Sequence, residues 1–197
     1  MHEYQAKQLL RNRGIAVPPG DVAGNPSEAR VIAENLRVAG FKGFFVKAQI
    51  HAGGRGFGFF PGSSLKSGVV HCETPAEVEH VASQMLGNNL VTSQTSAGGN
   101  KVSKVLVEAA IPCPHECYAA VMLDRNRECP VLLASGCGGQ TVERDISASP
   151  RELIKEWVDP VIGACQYQAR RIALALGFNG ELLHPCATFL LNLSLIH

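Results

Sequence analysis

The chain is 197 residues long, 46% hydrophobic and 18% charged, enough for one full domain or two small lobes. Eighteen basic residues against seventeen acidic give a formal charge of +1. That balance excludes the basic stripe of a nucleic-acid binder and confines any anion site to a few local side chains and backbone N–H groups.

The opening MHEYQAKQLLRNRG mixes charge into an apolar periodicity, so it reads as a folded helix and not as a secretory signal. Tyr4, Ala6, Leu9 and Leu10 fall at rough helical spacing across 3–13, and Gly14 stops the run. Val17-Pro18-Pro19-Gly20 forms a stiff elbow. Pro26-Ser27-Glu28 opens a second helix to about Ala39, closed by Gly40. Gly43 to Ile50, dense in β-branched and aromatic residues, is a strand that runs into glycines. Thr74-Pro75-Ala76-Glu77 starts a helix with a threonine cap, proline in the first turn and glutamate three residues after the cap. It is expected to run to Leu86 and stop at Gly87. Short strands are expected near 67–72, 90–95, 102–108, 117–124 and 130–135, with turns at Asn88-Asn89 and Ser96–Asn100. Ser149-Pro150-Arg151-Glu152 repeats the capping device and predicts a helix through Leu153, Ile154 and Trp157. A last helix is expected over 166–176, ending at Gly177. Strands alternating with capped helices give an α/β or α+β fold. No stretch reaches about 18 uncharged apolar residues, so no membrane-spanning helix is expected. Seven cysteines, an odd number with no zinc-type spacing, read as free thiols in a reducing compartment.

The densest chemistry lies in Val46-Lys47-Ala48-Gln49-Ile50-His51-Ala52-Gly53-Gly54-Arg55-Gly56. A strand sets Lys47 on one face, then feeds a three-glycine loop carrying Arg55. Glycines let backbone N–H groups approach phosphate oxygens with no side chain in the way. Lys47 adds a point charge and Arg55 a planar fork of donors. The pattern is neither a Walker A loop, which needs G-K-[ST], nor a dinucleotide fingerprint, whose glycine spacing differs. A phosphate loop and a glycine-rich hairpin connection both fit these residues. Glu108 closes the next strong strand and Glu116 follows it; such a glutamate either accepts from a ribose hydroxyl or sits at the surface. Gly136, Gly138 and Gly139 suit anion approach or a tight turn. His51 is either a contact beside the loop or a structural residue. His71, His80, His115 and His184 lack metal-ligand spacing, and no nucleophile elbow or catalytic triad can be assigned.

HEYQAK at 2–7, VKAQIHAGGRG at 46–56, LVTSQT at 90–95 and KVLVEAA at 104–110 together resemble the β-subunit of succinate–CoA ligase (succinyl-CoA synthetase). The likeness continues more loosely through LDRNRECPVLLAS at 123–135, the glycines at 138–139 and LGFNG at 176–180. The resemblance implies an ATP-grasp fold with an inserted smaller lobe, residues 1–20 with 111–197 forming one lobe and 21–110 the other. It places Lys47, Gly54, Arg55 and Gly56 on the nucleotide phosphates and Glu108 and Glu116 in the nucleotide site. It implies ATP or GTP with Mg²⁺ as cofactors and an α-subunit partner that binds CoA and carries a phosphorylated histidine. The implied reaction converts succinyl-CoA, NDP and phosphate to succinate, CoA and NTP, reversibly.

Phe57 stands where the family usually has a lysine. The family's magnesium ligands are expected beyond His197, and past Glu181 there is no Asp or Glu. The chain is therefore expected to be a C-terminally truncated piece, inactive alone. The alternatives are a non-catalytic nucleotide-binding or interaction protein with a degenerate ATP-grasp fold, or the equivalent subunit of malate–CoA ligase. The stretch Ser64–Val69 resembles eukaryotic mitochondrial members, which points to the mitochondrial matrix, with a cytoplasmic location if the protein is bacterial.

Overall fold

The computed structural model describes residues 1–139, 142 and 153–195. They fall into two compact units, one built from residues 1–8 and 17–112 and the other from 9–16 and the chain after 112. The first helix, α1 (Glu3–Asn12), starts in the first unit and ends in the second.

The first unit is an antiparallel sheet backed by two helices. Its strands are β1 (Gly20–Ala23), β2 (Phe44–Ala48), β3 (Val69–Cys72) and β6 (Val105–Ala109), in the order β1-β6-β2-β3. Two-residue strands β4 (Asn89–Leu90) and β5 (Asn100–Lys101) pair separately. Side chains alternate across a strand, so Phe44, Val46 and Ala48 turn to one face with Val105, Val107 and Ala109. There they pack against Ala29, Ala33 and Leu36 of α2 (Pro26–Val38) and Val78, Ala82 and Met85 of α3 (Pro75–Met85).

Both helices start where their capping chemistry places them. The Asn25 side chain accepts from Glu28 N at 2.9 Å, and Thr74 Oγ1 accepts from Glu77 N at 3.2 Å, each satisfying one orphan donor of the first turn. Gly40 (φ 97°) and Gly87 (φ 82°) follow the helix ends in the left-handed region that glycine adopts without strain. The other sheet face carries Phe45, Lys47, Leu106 and Glu108. The register sets Phe45 opposite Glu108 and Lys47 opposite Leu106, which makes Lys47 and Glu108 diagonal neighbours.

The second unit holds the antiparallel sheet β7 (Tyr118–Asp124), β8 (Cys129–Ser135) and β9 (Ile154–Trp157). Against it lie α4 (Gln166–Ala175) and α5 (Leu183–Ser194), with Leu132, Ala134, Ile172, Ala173 and Leu190 in the core. Trp157 closes the edge: its Nε1 donates to Asp124 at 2.8 Å and the Arg127 guanidinium lies 3.7 Å from its ring centroid.

The architecture is α+β. The helix expected through Ile154 and Trp157 is instead strand β9, because the Val131–Ala134 edge of β8 offers it a hydrogen-bonding partner. The helix start at Ser149–Glu152 lies outside the described residues. The strand expected over 90–95 ends at Leu90, apart from a single bridge from Val91 to Phe59. Residues 92–95 instead form a turn in which Thr95 N donates to Thr92 O at 3.2 Å.

Candidate functional site

The face of the first sheet opposite α2 and α3, where the first turns of α1 lie, gathers five charged side chains from four places in the chain. Lys47 comes from β2, Glu108 from β6, Glu3 and Lys7 from successive turns of α1, and Arg55 from the glycine loop after β2. Glu108, only 2% exposed, binds both lysines, its two carboxylate oxygens each taking one ammonium group. Glu3 reaches all three cations: Arg55 at 2.6 Å, Lys7 at 2.9 Å and Lys47 at 3.5 Å. Three cations therefore meet two carboxylates, leaving one positive charge in excess at neutral pH. Burial pushes the Glu3 carboxyl up, but the combined pull of Lys47, Lys7 and Arg55 outweighs it and holds its pKa down at about 2.

The loop is braced from outside. Gly53 N donates to Gln94 Oε1 at 2.8 Å, Gly68 N to Arg55 O at 2.8 Å, and Ser67 Oγ to Gly56 O at 3.0 Å. Gly54 has φ 69°, and a Cβ there would stand 3.1 Å from Ser93 Oγ, so both backbone and space call for glycine. Arg55 is fixed independently of its carboxylate, since a second guanidinium nitrogen donates to Ala48 O at 2.7 Å. The start of α1 is tied down too: Tyr4 N donates to the buried Gln49 side chain at 3.4 Å, and Lys104 lies 5.5 Å from the Tyr4 ring centroid. His2 stacks on His51 with ring centroids 3.9 Å apart. Burial, His51 and the nearby positive charges keep the His2 imidazole below its ordinary pKa.

Beside this cluster the same unit has an open hollow of about 810 Å³ lined by Phe41, Lys42, Phe45, His71, Ile111 and Pro112 among others. Phe45 joins the two features: its ring centroid lies 5.5 Å from Lys47 Nζ and 5.2 Å from the edge-on His71 ring. A Cβ on Gly43 would stand 2.8 Å from His71 Nε2, so glycine at 43 makes room for that imidazole.

Of the residues singled out in the sequence, Lys47, Gly54, Arg55, Gly56 and Glu108 come together in the first unit. Glu116 belongs to the second unit and is exposed. There the close approach of Gly138 to the Glu116 backbone leaves no room for a Cβ, which would lie 2.6 Å from Glu116 C. Sequence reasoning missed Glu3, Lys7 and Gln94. The first two carried a visible signal, an i,i+4 Glu–Lys pair on α1, but that spacing is also the commonest surface helix pair. Among the described residues, no group of three or more His, Cys, Asp and Glu is placed to hold a metal ion.

The first unit is thus an α+β domain, a helix-backed antiparallel sheet that carries an ion-paired cluster of lysines, arginine and glutamates beside a left-handed glycine loop. The chain belongs to the ATP-grasp domain family, which matches it along residues 1–197. It is 40% identical to the succinate–CoA ligase [ADP-forming] β subunit of Koribacter versatilis over 190 residues, 96% of this chain and 46% of that one. It is 44% identical to the corresponding Wolinella succinogenes subunit over 181 residues, 92% of this chain and 43% of that one. The chain thus spans about half the length of the curated relatives it matches.

Two solved structures share the fold across the whole chain. One is ATP citrate lyase from Methanothrix soehngenii, determined with citrate and coenzyme A (TM-score 0.67, 19% identity, 43% of that chain). The other is a dinucleotide-forming acetyl-coenzyme A synthetase from Ca. Korarchaeum cryptofilum (TM-score 0.65, 18% identity, 79% of that chain). Eight succinate–CoA ligase β subunits that match this chain at 39–44% identity are bacterial. That finding overturns the mitochondrial placement drawn from Ser64–Val69.

Proposed function

We propose that this chain is the nucleotide-gripping part of a CoA ligase of the succinate–CoA ligase β-subunit type, holding a purine nucleotide by its phosphates. The observation that carries this reading is the convergence of Lys7, Lys47 and Arg55 beside Gly54, with one positive charge in excess. Cations clustered on a low-dielectric face, next to a backbone that approaches without side chains, stabilise phosphate oxygens far better than isolated surface charges. The base lies in the hollow beside Phe45 and His71, where aromatic surface and a few polar groups suit a flat heterocycle. Glu108 fixes the lysines from the sheet side. Glu116 is a further nucleotide contact in this reading, in a two-lobed domain divided near residue 110.

The similarity to succinate–CoA ligase β subunits supports succinate as the acid and an α-subunit as partner. A malate–CoA ligase subunit would use the same grip. Mg²⁺ would travel with the nucleotide and neutralise charge on the transferring phosphoryl group. A second reading, a nucleotide-binding protein without its own ligase step, is favoured by two observations. The described residues hold no metal cluster, and Phe57, where the family usually has a lysine, is an exposed aromatic ring.

Calorimetric titration of the chain with Mg·ADP and Mg·GDP, beside Lys47→Ala, tests the grip. Saturable binding lost in Lys47→Ala is expected, and the preferred base follows from the same titrations. Binding that survives unchanged in Lys47→Ala would remove Lys47 and the sheet face from the reading.

A further inference from the structure

We propose that Glu3 is an internal stand-in for a nucleotide phosphate, and that Lys7, one helical turn on, is a third cation of the phosphate grip. This rests on the nucleotide reading of the same site and adds to it what fills the site before nucleotide arrives.

The two carboxylates of the cluster are held very differently. Glu108 lies in β6, hydrogen-bonded between β1 and β2, and is almost wholly buried. Glu3 lies in the first turn of α1, a helix with no buried residue, and its carboxylate is held by side chains alone. Glu3 makes the longest contact to Lys47, at 3.5 Å, while Glu108 grips the same ammonium closely. A rotation about the Glu3 side-chain bonds vacates the position facing Arg55, Lys7 and Lys47 without moving the sheet.

The three cations keep their places when that happens. Arg55 remains anchored to Ala48 O, at 2.7 Å, and presents to a newcomer the nitrogen that Glu3 held. Lys7 and Lys47 remain on Glu108. A phosphate oxygen is chemically equivalent to the departing carboxylate oxygen, an anionic acceptor of charge-assisted hydrogen bonds, and carries more charge. The device keeps buried cations paired in the free protein, where unpaired burial would be costly. It also makes nucleotide binding an exchange of one anion for another.

Competition of this kind predicts an uncommon sign. Removing an acidic residue from a binding site tightens the site. Loss of one charge about 5 Å from a phosphate is expected to strengthen binding about tenfold, and removal of the Lys7 charge to weaken it by a similar factor. Wild type, Glu3→Gln, Lys7→Gln and Lys47→Ala are titrated with tripolyphosphate and with ADP at a temperature where each is folded by circular dichroism. Tighter binding by Glu3→Gln with weaker binding by Lys7→Gln supports the proposal. So does binding by Glu3→Gln where wild type shows none.

Unchanged or weaker binding by Glu3→Gln, with Lys47-dependent binding intact in wild type, overturns the proposal and leaves the nucleotide reading standing. Absence of binding in both proteins overturns the two together. A measurement on wild type needs no substitution. On addition of tripolyphosphate the ¹³C carboxyl resonance of Glu3 is expected to move to the position of a solvent-exposed glutamate, while that of Glu108 stays paired. A Glu3 resonance that stays fixed at saturation refutes displacement.

Discussion

Glu3→Gln also has a defined effect on stability, which follows from the depressed pKa of this carboxyl. In the folded protein its pKa is about 2 against an ordinary 4.5. A carboxylate whose folded pKa is lowered contributes stability that is complete above its unfolded pKa. That contribution is lost as pH falls through the folded value. At about 1.4 kcal/mol for each pH unit of the depression, Glu3 is worth about 3 kcal/mol to the first unit above pH 5 and almost nothing by pH 2. Its side chain is only 20% exposed, so solvent screening removes little of this. Glutamine keeps the shape and lacks the titration.

Urea unfolding followed by far-UV circular dichroism between pH 6 and pH 2 gives the wild-type and variant stabilities, while fluorescence of the single tryptophan, Trp157, reports the second unit separately. The stability gap between the proteins is expected to shrink from about 3 kcal/mol to near zero across that window. Carboxylates remote from the cluster contribute alike in both proteins and cancel in the difference. A gap that stays constant with pH, or widens toward acid, would refute the ionic cluster as drawn.

Two further outcomes follow from the same unit. Gly54→Val places a β-branched residue at φ 69° with its Cβ 3.1 Å from Ser93 Oγ. It is expected to cost about 1–2 kcal/mol and to weaken nucleotide binding about tenfold, with helix content unchanged; calorimetry and circular dichroism check both. Burial, with a smaller push from Glu77, raises the Cys72 thiol from 9.0 to about 11. At pH 8.5 native Cys72 is therefore expected to resist iodoacetamide while the exposed Cys113 and Cys137 react, as peptide mass spectrometry would show. Equal labelling of Cys72 and Cys113 would contradict its placement behind α3.

What could be read from the sequence was whatever is decided locally. Thr74 and Glu77 are three residues apart, so the start of α3 is written in the sequence itself, as are the stops at Gly40 and Gly87. The alternation of Phe44, Val46 and Ala48 shows which side of β2 is core. Features decided by partners elsewhere were not legible. Ile154 and Trp157 fit helical spacing as well as β spacing, and only the edge of β8 selects the strand. β1 has four residues, too few to show a period, and exists because β6 pairs with it. LVTSQT carries the strand-forming residues Val91, Thr92 and Thr95, yet Thr92 and Thr95 bond each other and Gln94 turns to brace Gly53.

The candidate site divides the same way. Lys47 and Arg55 stand out because a strand and three glycines frame them within a few residues. Their pairing to Glu3 and Glu108 does not, since Lys7 and Glu108 lie 101 residues apart and meet only when α1 settles on the sheet. The sequence therefore marked the cations as free phosphate ligands, whereas in the structure carboxylates already occupy them.

The central claim, a phosphate grip on the α1 side of the first sheet, is tested most directly by amide NMR of the uniformly ¹⁵N-labelled chain titrated with Mg·ADP. Saturable shifts are predicted at Lys7, Lys47, Gly53–Gly56 and Glu108, with smaller ones at Phe45 and His71. Saturation that leaves all of these resonances in place, or shifts confined to residues after 112, would contradict it.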